Sequence, residues 1–191
     1  MEFEEFLKNN KKEHLIFDFD GTLCLLLMPW ELFELRTILK KIDSSLDDET
    51  STIYGVINNH IRKYGNEARA LVLDYIINFE KEHFKDFEIN KELIPFFNKN
   101  VSIKKHIWSS NTKSTIYEIL DELNLRENFE TIITCEDVKL FKPDKNGFTL
   151  INKKGEDKHK YLMIGDSIND EKAAKNAGID FFKVDYFKLG L

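Results

Sequence analysis

The stretch His14-Leu15-Ile16-Phe17-Asp18-Phe19-Asp20-Gly21-Thr22 decides the fold. Its first half is a continuous apolar run, as expected of a strand buried on both faces of a parallel sheet. It ends abruptly in acid and glycine. Two later stretches repeat that profile. Residues 101–108 run into Ser109-Ser110-Asn111, and Tyr161-Leu162-Met163-Ile164 runs into Gly165-Asp166-Ser167-Ile168-Asn169-Asp170. In an open parallel sheet, ligands bind outside the carboxyl ends of the strands. Three polar clusters at three strand ends therefore point to one shared site.

Between and after these strands the spacing turns helical. Ile116, Ile119, Leu120 and Leu123 share one face of a helix over 114–123, and residues 171–177 form another, with Gly178 as its C-cap. Residues 131–135 and 179–184 read as further strands, and 148–151 as a helix. Strands alternating with helices give an α/β fold with a Rossmann-like, three-layer α/β/α core.

Residues 29–87 interrupt this pattern. Leu32, Leu35, Ile38 and Leu39 lie at helical spacing behind Pro29, with further helices expected over 51–64 and 67–84 and a break at Gly65-Asn66. No strand is expected there. The predicted organisation is a core of residues 1–23 and 97–191 with a small all-α cap, 24–96, inserted after the first core strand. Residues 2–12 suit one short amphipathic helix.

The 191 residues carry a net charge of −6. A nucleic-acid binder would show a basic stripe, so none is expected as partner. The run Leu23 to Met28 is far below the roughly 20 residues needed to span a bilayer, so no membrane is expected either. Cys24 and Cys135 make neither a disulfide framework nor a zinc pattern, and read as reduced thiols of a cytoplasmic protein. The acidic N-terminus is neither a secretory signal nor a transit peptide. A monomer is the default expectation.

Asp18 and Asp20 are two apart in an extended segment, which places both side chains on one side. Carboxylates that close repel unless a cation holds them. With Asp166 and Asp170 they form an all-oxygen set suited to Mg²⁺. A carboxylate can carry a phosphoryl group covalently. Lys142, just before Pro143, is the natural cation for a phosphate, with Lys139 and Lys145 as competitors. Ser109 and the backbone amides after it can donate to phosphate oxygens. Each residue also has a plain structural reading. A lone Asp-x-Asp is turn punctuation, and Ser109-Ser110-Asn111 or Asp170 can serve as a helix N-cap. Arg36, Arg62 and Arg69 read as solvated helix faces sooner than as a grip on substrate. The five histidines form no visible cluster.

Taken together, Asp18-Phe19-Asp20-Gly21-Thr22, Ile107-Trp108-Ser109, Lys142-Pro143 and Gly165-Asp166-Ser167-Ile168-Asn169-Asp170 resemble, in order, the four motifs of the haloacid dehalogenase superfamily. Asn176-Ala177-Gly178-Ile179 resembles the stretch that follows. The resemblance implies Asp18 as nucleophile and Asp20 as acid/base. It implies Mg²⁺ held by Asp18, the Asp20 carbonyl, Asp166 and Asp170, and phosphate held by Ser109, the Ser110 amide and Lys142. It also implies a helical cap like that of phosphoglycolate phosphatase-like and β-phosphoglucomutase-like members. The expected activity is hydrolysis of a small phosphorylated metabolite. A sugar-phosphate mutase is the alternative, and a phospho-receiver domain is the non-enzymatic one. Two stretches depart from the family's usual pattern: Cys24-Leu25-Leu26-Leu27-Met28-Pro29-Trp30, and Ile94-Pro95-Phe96 before the second strand.

Overall fold

The computed structural model describes residues 3–48, 50–91, 95, 97 and 102–185. Ile94, Phe96 and Val101, on which part of the sequence reading rests, lie outside them.

Five strands form one parallel sheet: β1 (His14–Phe17), β4 (Lys104–Trp108), β5 (Thr131–Ile133), β6 (Tyr161–Gly165) and β7 (Asp180–Lys183). Their order is β5-β4-β1-β6-β7. β1 is central, pairing in parallel with β4 on one side and β6 on the other. The chain builds outward from β1 through β4 to β5, then crosses back to β6 and β7. The topological switch point thus falls at the carboxyl end of β1, where Asp18 begins.

Helices cover both faces. Leu15 and Phe17 point to one side, where Ile116, Ile119 and Leu120 of α5 (Lys113–Glu122) meet them. Phe3, Phe6 and Leu7 of α1 (Phe3–Asn9) pack on the same cluster. Ile16 points to the other side, toward Phe148 of α6 (Asn146–Ile151) and Ala173, Ala174 and Ala177 of α7 (Ile168–Ala177). All four residues of β1 are buried. This alternation between two covered faces is the physical content of the three-layer, Rossmann-like α/β/α fold.

The interrupting segment holds α2 (Leu35–Ile42), α3 (Ile53–Tyr64) and α4 (Asn66–His83). Gly65 turns the chain between α3 and α4 with φ +65°. Leu35, Leu39, Val56, Ile57, Ile61, Val72 and Ile76 form the segment's own apolar cluster, which also takes in Cys135 and Phe141 from the α/β part.

Two expectations need correction. The ends of the inserted segment are not helical: β2 (Cys24–Leu27) and β3 (Asp86–Ile89) pair antiparallel as a two-stranded ribbon. Pro29 precedes only a short 3₁₀ turn, Trp30–Leu32, and the α-helix starts at Leu35. Two of the five histidines do meet. Adjacency of β1 and β4 brings His14 Nδ1 to 3.1 Å from His106 Nε2, at the sheet end away from the polar strand ends.

Candidate active site

β1, β4 and β6 bring the three polar clusters together at the switch point. Asp18 leaves β1 with its backbone N–H on Ile164 O, at 2.9 Å. Its carboxylate, with those of Asp166 and Asp170, forms a set whose ligand atoms lie within 4.8 Å of one another. Lys142 Nζ donates to Asp18 Oδ1 at 2.7 Å and Asp170 Oδ1 at 2.5 Å. Lys142 is 3% exposed and lies among these carboxylates, whereas Lys139 and Lys145 face solvent.

Asp170 is not the N-cap of α7. Ser167 is the N-cap, and Asp170 stands at the third helical position, closing a capping box. Its Oδ2 accepts from the Ser167 N–H and hydroxyl, which leaves Oδ1 for Lys142. Asp166 Oδ1 accepts from Thr22 Oγ1 at 3.2 Å. Gly21, with φ +79°, passes so close that a Cβ there would lie 2.6 Å from Asp166 Oδ2. Here glycine serves both the left-handed turn and the close approach.

The Asp20 carboxylate stands apart from the three. Its Oδ1 accepts from Leu26 N at 2.8 Å, tying the acid to β2. Burial, then the charges of Asp166 and Glu80, push its pKa up to about 7 against two backbone N–H donors. Burial lifts Asp18 well above the ordinary carboxylate value, Asp170 and Asp166 add to this, and Lys142 opposes it. Asp166 is raised by burial and by Asp170. Burial works against the Lys142 ammonium, but the two carboxylates outweigh it and hold its pKa above the usual value. One ammonium among three clustered carboxylates leaves net negative charge in a low-dielectric site. A hard, oxygen-seeking divalent cation suits that donor set.

Ser109 and Ser110 follow β4, and Thr112 caps α5 through Thr115 N. Ser109 Oγ donates to Asn111 Oδ1 at 2.9 Å and accepts from Asn111 N at 3.1 Å. The inserted helices reach this loop. Glu80 of α4 accepts from Asn111 and Thr112. The Tyr54 phenol of α3 lies near the same loop, and burial, with Glu80 close by, raises its pKa far above the usual value. Arg36, Arg62 and Arg69 are committed elsewhere: Arg36 to Asp47 and the carbonyls of Asp48 and Ser51, Arg62 to Asp144, and Arg69 to the carbonyls of Glu136 and Val138.

Residues 15–184 match the family described as haloacid dehalogenase-like hydrolase. The chain belongs to that family. It is 29% identical to pyrophosphatase PpaX of Bacillus velezensis, the match covering 74% of this chain and 79% of that one. A haloacid dehalogenase-like hydrolase from Bacteroides fragilis superposes with a TM-score of 0.63 at 21% identity, over 92% of this chain and 89% of the other. The hydrolase YfnB of Bacillus subtilis, whose crystal structure is bound to magnesium, superposes with a TM-score of 0.55 at 21% identity, over 90% and 86%. At that identity the two structures bear on the fold alone. The present chain is thus a hydrolase of the haloacid dehalogenase-like kind, with a Rossmann-like core.

The structure brings Asp18, Asp166, Asp170 and Lys142 into contact range, with Ser109 and Ser110 at the neighbouring strand end. Sequence reasoning did not single out Thr22, Tyr54, Glu80 or Thr112. For Glu80 a signal existed: it extends the stripe Val72, Ile76 at four-residue spacing, a charged residue on a buried helix face.

Proposed function

We propose that this hydrolase is a phosphatase, acting on small phosphorylated metabolites by transfer of the phosphoryl group to Asp18. The observation that carries the reading is the convergence of Asp18, Lys142, Asp166 and Asp170, from three separate stretches of chain, at the carboxyl end of β1. Asp18 attacks phosphorus, and the bond to the leaving oxygen breaks as the bond to Asp18 forms. Asp20 gives that oxygen a proton. A pKa near 7 suits a group that must hold a proton near neutrality and release it afterwards. Asp20 then takes a proton from water, which attacks the phosphorus of the aspartyl-phosphate and frees Asp18 and phosphate. Lys142 fixes the Asp18 carboxylate and balances charge on the phosphoryl oxygens. Ser109 and the Ser110 N–H donate to those oxygens at the α5 N-terminus.

Mg²⁺ fits the oxygen donors of Asp18, the Asp20 carbonyl and Asp166, with Asp170 direct or through water. When bound it supplies charge neutralisation for the carboxylates and for the phosphoryl group. Residues 24–96 would act as a cap on a core of 1–23 and 97–191, with the β2–β3 ribbon as the joint and α2–α4 selecting the substrate. Hydrolysis, rather than mutase or receiver chemistry, is tested by product. The purified protein with Mg²⁺ should release free phosphate steadily from p-nitrophenyl phosphate and from members of a phosphometabolite panel that includes pyrophosphate. EDTA should stop release, and added Mg²⁺ should restore it. Full activity in chelator removes the metal from the scheme, and an isomerised phosphosugar with no free phosphate replaces hydrolysis with transfer.

A further inference from the structure

Helix α4 lies in the inserted segment, yet one of its carboxylates is committed to the phosphate loop. Glu80 is 2% exposed. A carboxylate so buried is tolerated only when donors fill its oxygens. Here Oε1 accepts from Asn111 Nδ2 at 3.0 Å, while Oε2 accepts from Thr112 N at 3.0 Å and from Thr112 Oγ1 at 2.6 Å. Thr112 is the N-cap of α5, so Glu80 also meets the positive end of that helix.

A carboxylate offers acceptors on both oxygens. The Asn111 amide must therefore turn its NH₂ toward Glu80 and its carbonyl toward Ser109. That carbonyl accepts from Ser109 Oγ at 2.9 Å, and Asn111 N donates to the same oxygen at 3.1 Å. The Ser109 hydroxyl is thus held on both its donor and acceptor sides by a residue whose orientation is dictated from α4.

We propose that Glu80 is a positioning residue. By fixing the Asn111 amide it holds Ser109 Oγ in place beside the phosphate site, where the hydroxyl turns its single proton from Asn111 Oδ1 to a phosphate oxygen while the Asn111 N–H stays on Oγ. It can do so only while α4 is seated against the start of α5. This rests on the reading of Ser109 and Ser110 as phosphate-binding residues.

The test is calorimetric binding of inorganic phosphate, in Mg²⁺, to the wild type, Glu80→Gln, Asn111→Ala and the double variant. A glutamine sets an NH₂ against one of the three donors. Each single variant should bind phosphate at least about tenfold more weakly, as expected for loss of one hydrogen bond to a charged group. The double variant should be no weaker than the poorer single one, because both act through Ser109. Arg69→Gln is the docking control. It removes contacts of the same helix to the Glu136 and Val138 carbonyls without touching residues 109–112. It should lower the melting temperature and leave phosphate affinity within about twofold. The proposal is overturned if Glu80→Gln binds phosphate as the wild type does, if the two losses add, or if Arg69→Gln loses as much. Should Glu80→Gln not fold, Asn111→Ala and Glu80→Asp carry the comparison, and wild-type affinity in both overturns it equally. Wild-type turnover of p-nitrophenyl phosphate judges the hydrolytic reading separately. A wild type that turns substrate over while Glu80→Gln keeps full phosphate affinity sinks only the role of Glu80. A wild type that binds no phosphate removes the phosphate site and this proposal with it.

Discussion

Lys142 Nζ stands 2.7 Å from Asp18 Oδ1, joining residues 124 apart in sequence, and the same ammonium reaches Asp170 in the first turn of α7. All three side chains are buried, the two partners of Lys142 being the end of β1 and a helix start behind β6. Such an ion pair is weak as net stabilisation, but breaking it leaves uncompensated charge at a cost of about 3–5 kcal/mol. Lys142→Met should therefore lower the free energy of urea unfolding by about that much without metal. Mg²⁺ should recover part of the stability by taking over charge neutralisation. Turnover should stay down at least about 100-fold, since a cation at the transferring group is lost. Wild-type turnover in a folded Lys142→Met enzyme would remove Lys142 from the chemistry.

Asp18 is the group on which covalent transfer depends. Asp18→Asn keeps the size and one acceptor for Lys142, and removes the carboxylate oxygen that bonds phosphorus. The variant should fold, with a circular dichroism spectrum like the parent's, and release no phosphate above background. Asp20→Asn should keep attack possible for a good leaving group and stall the water step. Quenched with acid during turnover of p-nitrophenyl phosphate, it should carry more phosphoryl-enzyme than the wild type. Asp18→Asn turning over near the wild-type rate would rule out the nucleophile.

The strand ends were legible because continuous apolar runs halting at acid or serine have few other readings in an alternating α/β pattern. The parts missed depend on distant pairing. Cys24–Leu27 is a strand only because Asp86–Ile89 arrives from beyond the helices to pair with it, and four residues with a mixed burial pattern carry little local signal. The anchoring of Asp20 on Leu26 N follows from that ribbon and was equally hidden. His14 and His106 are 92 residues apart, and only the β1–β4 pairing reveals that they touch. Lys142 stands out in the sequence only by its place before Pro143, and its burial sets it apart from Lys139 and Lys145 in the fold.

Gly21 tests whether the Asp166 carboxylate works as a metal ligand. A methyl group at this position meets Asp166 Oδ2 at 2.6 Å in a backbone with φ +79°. Gly21→Ala should cost about 1–2 kcal/mol for the left-handed conformation alone. It should also push Asp166 aside and raise the Mg²⁺ concentration for half-maximal activity by about tenfold or more, the scale seen when the surroundings of a ligand are disturbed. Stability is read by urea titration and metal dependence by steady-state rate against Mg²⁺. A loss of stability with unchanged Mg²⁺ dependence would speak against Asp166 as a ligand.

The histidine pair at the opposite end of the sheet sets an acid limit on folding. His14 and His106 are 3% and 2% exposed, their rings share one hydrogen bond, and His106 Nδ1 has no hydrogen-bond partner among the described residues. Burial, then the neighbouring His14 and Lys104, lower His106 from 6.5 to about 4. The folded value lies below the unfolded one, so the native state favours the neutral ring. Its contribution is complete above about pH 6.5 and is lost as pH falls from there toward 4. At about 1.4 kcal/mol per pH unit, roughly 2 kcal/mol should disappear between pH 6.5 and 5. His106→Gln keeps a partner for His14 Nδ1 and cannot titrate in this range. Urea unfolding of both proteins at pH 7, 6 and 5 should show the variant's stability falling less steeply, so that the gap between them narrows or reverses on acidification. Parallel curves would mean that the pair accepts a proton while folded, and that the acid sensitivity lies in the clustered carboxylates instead.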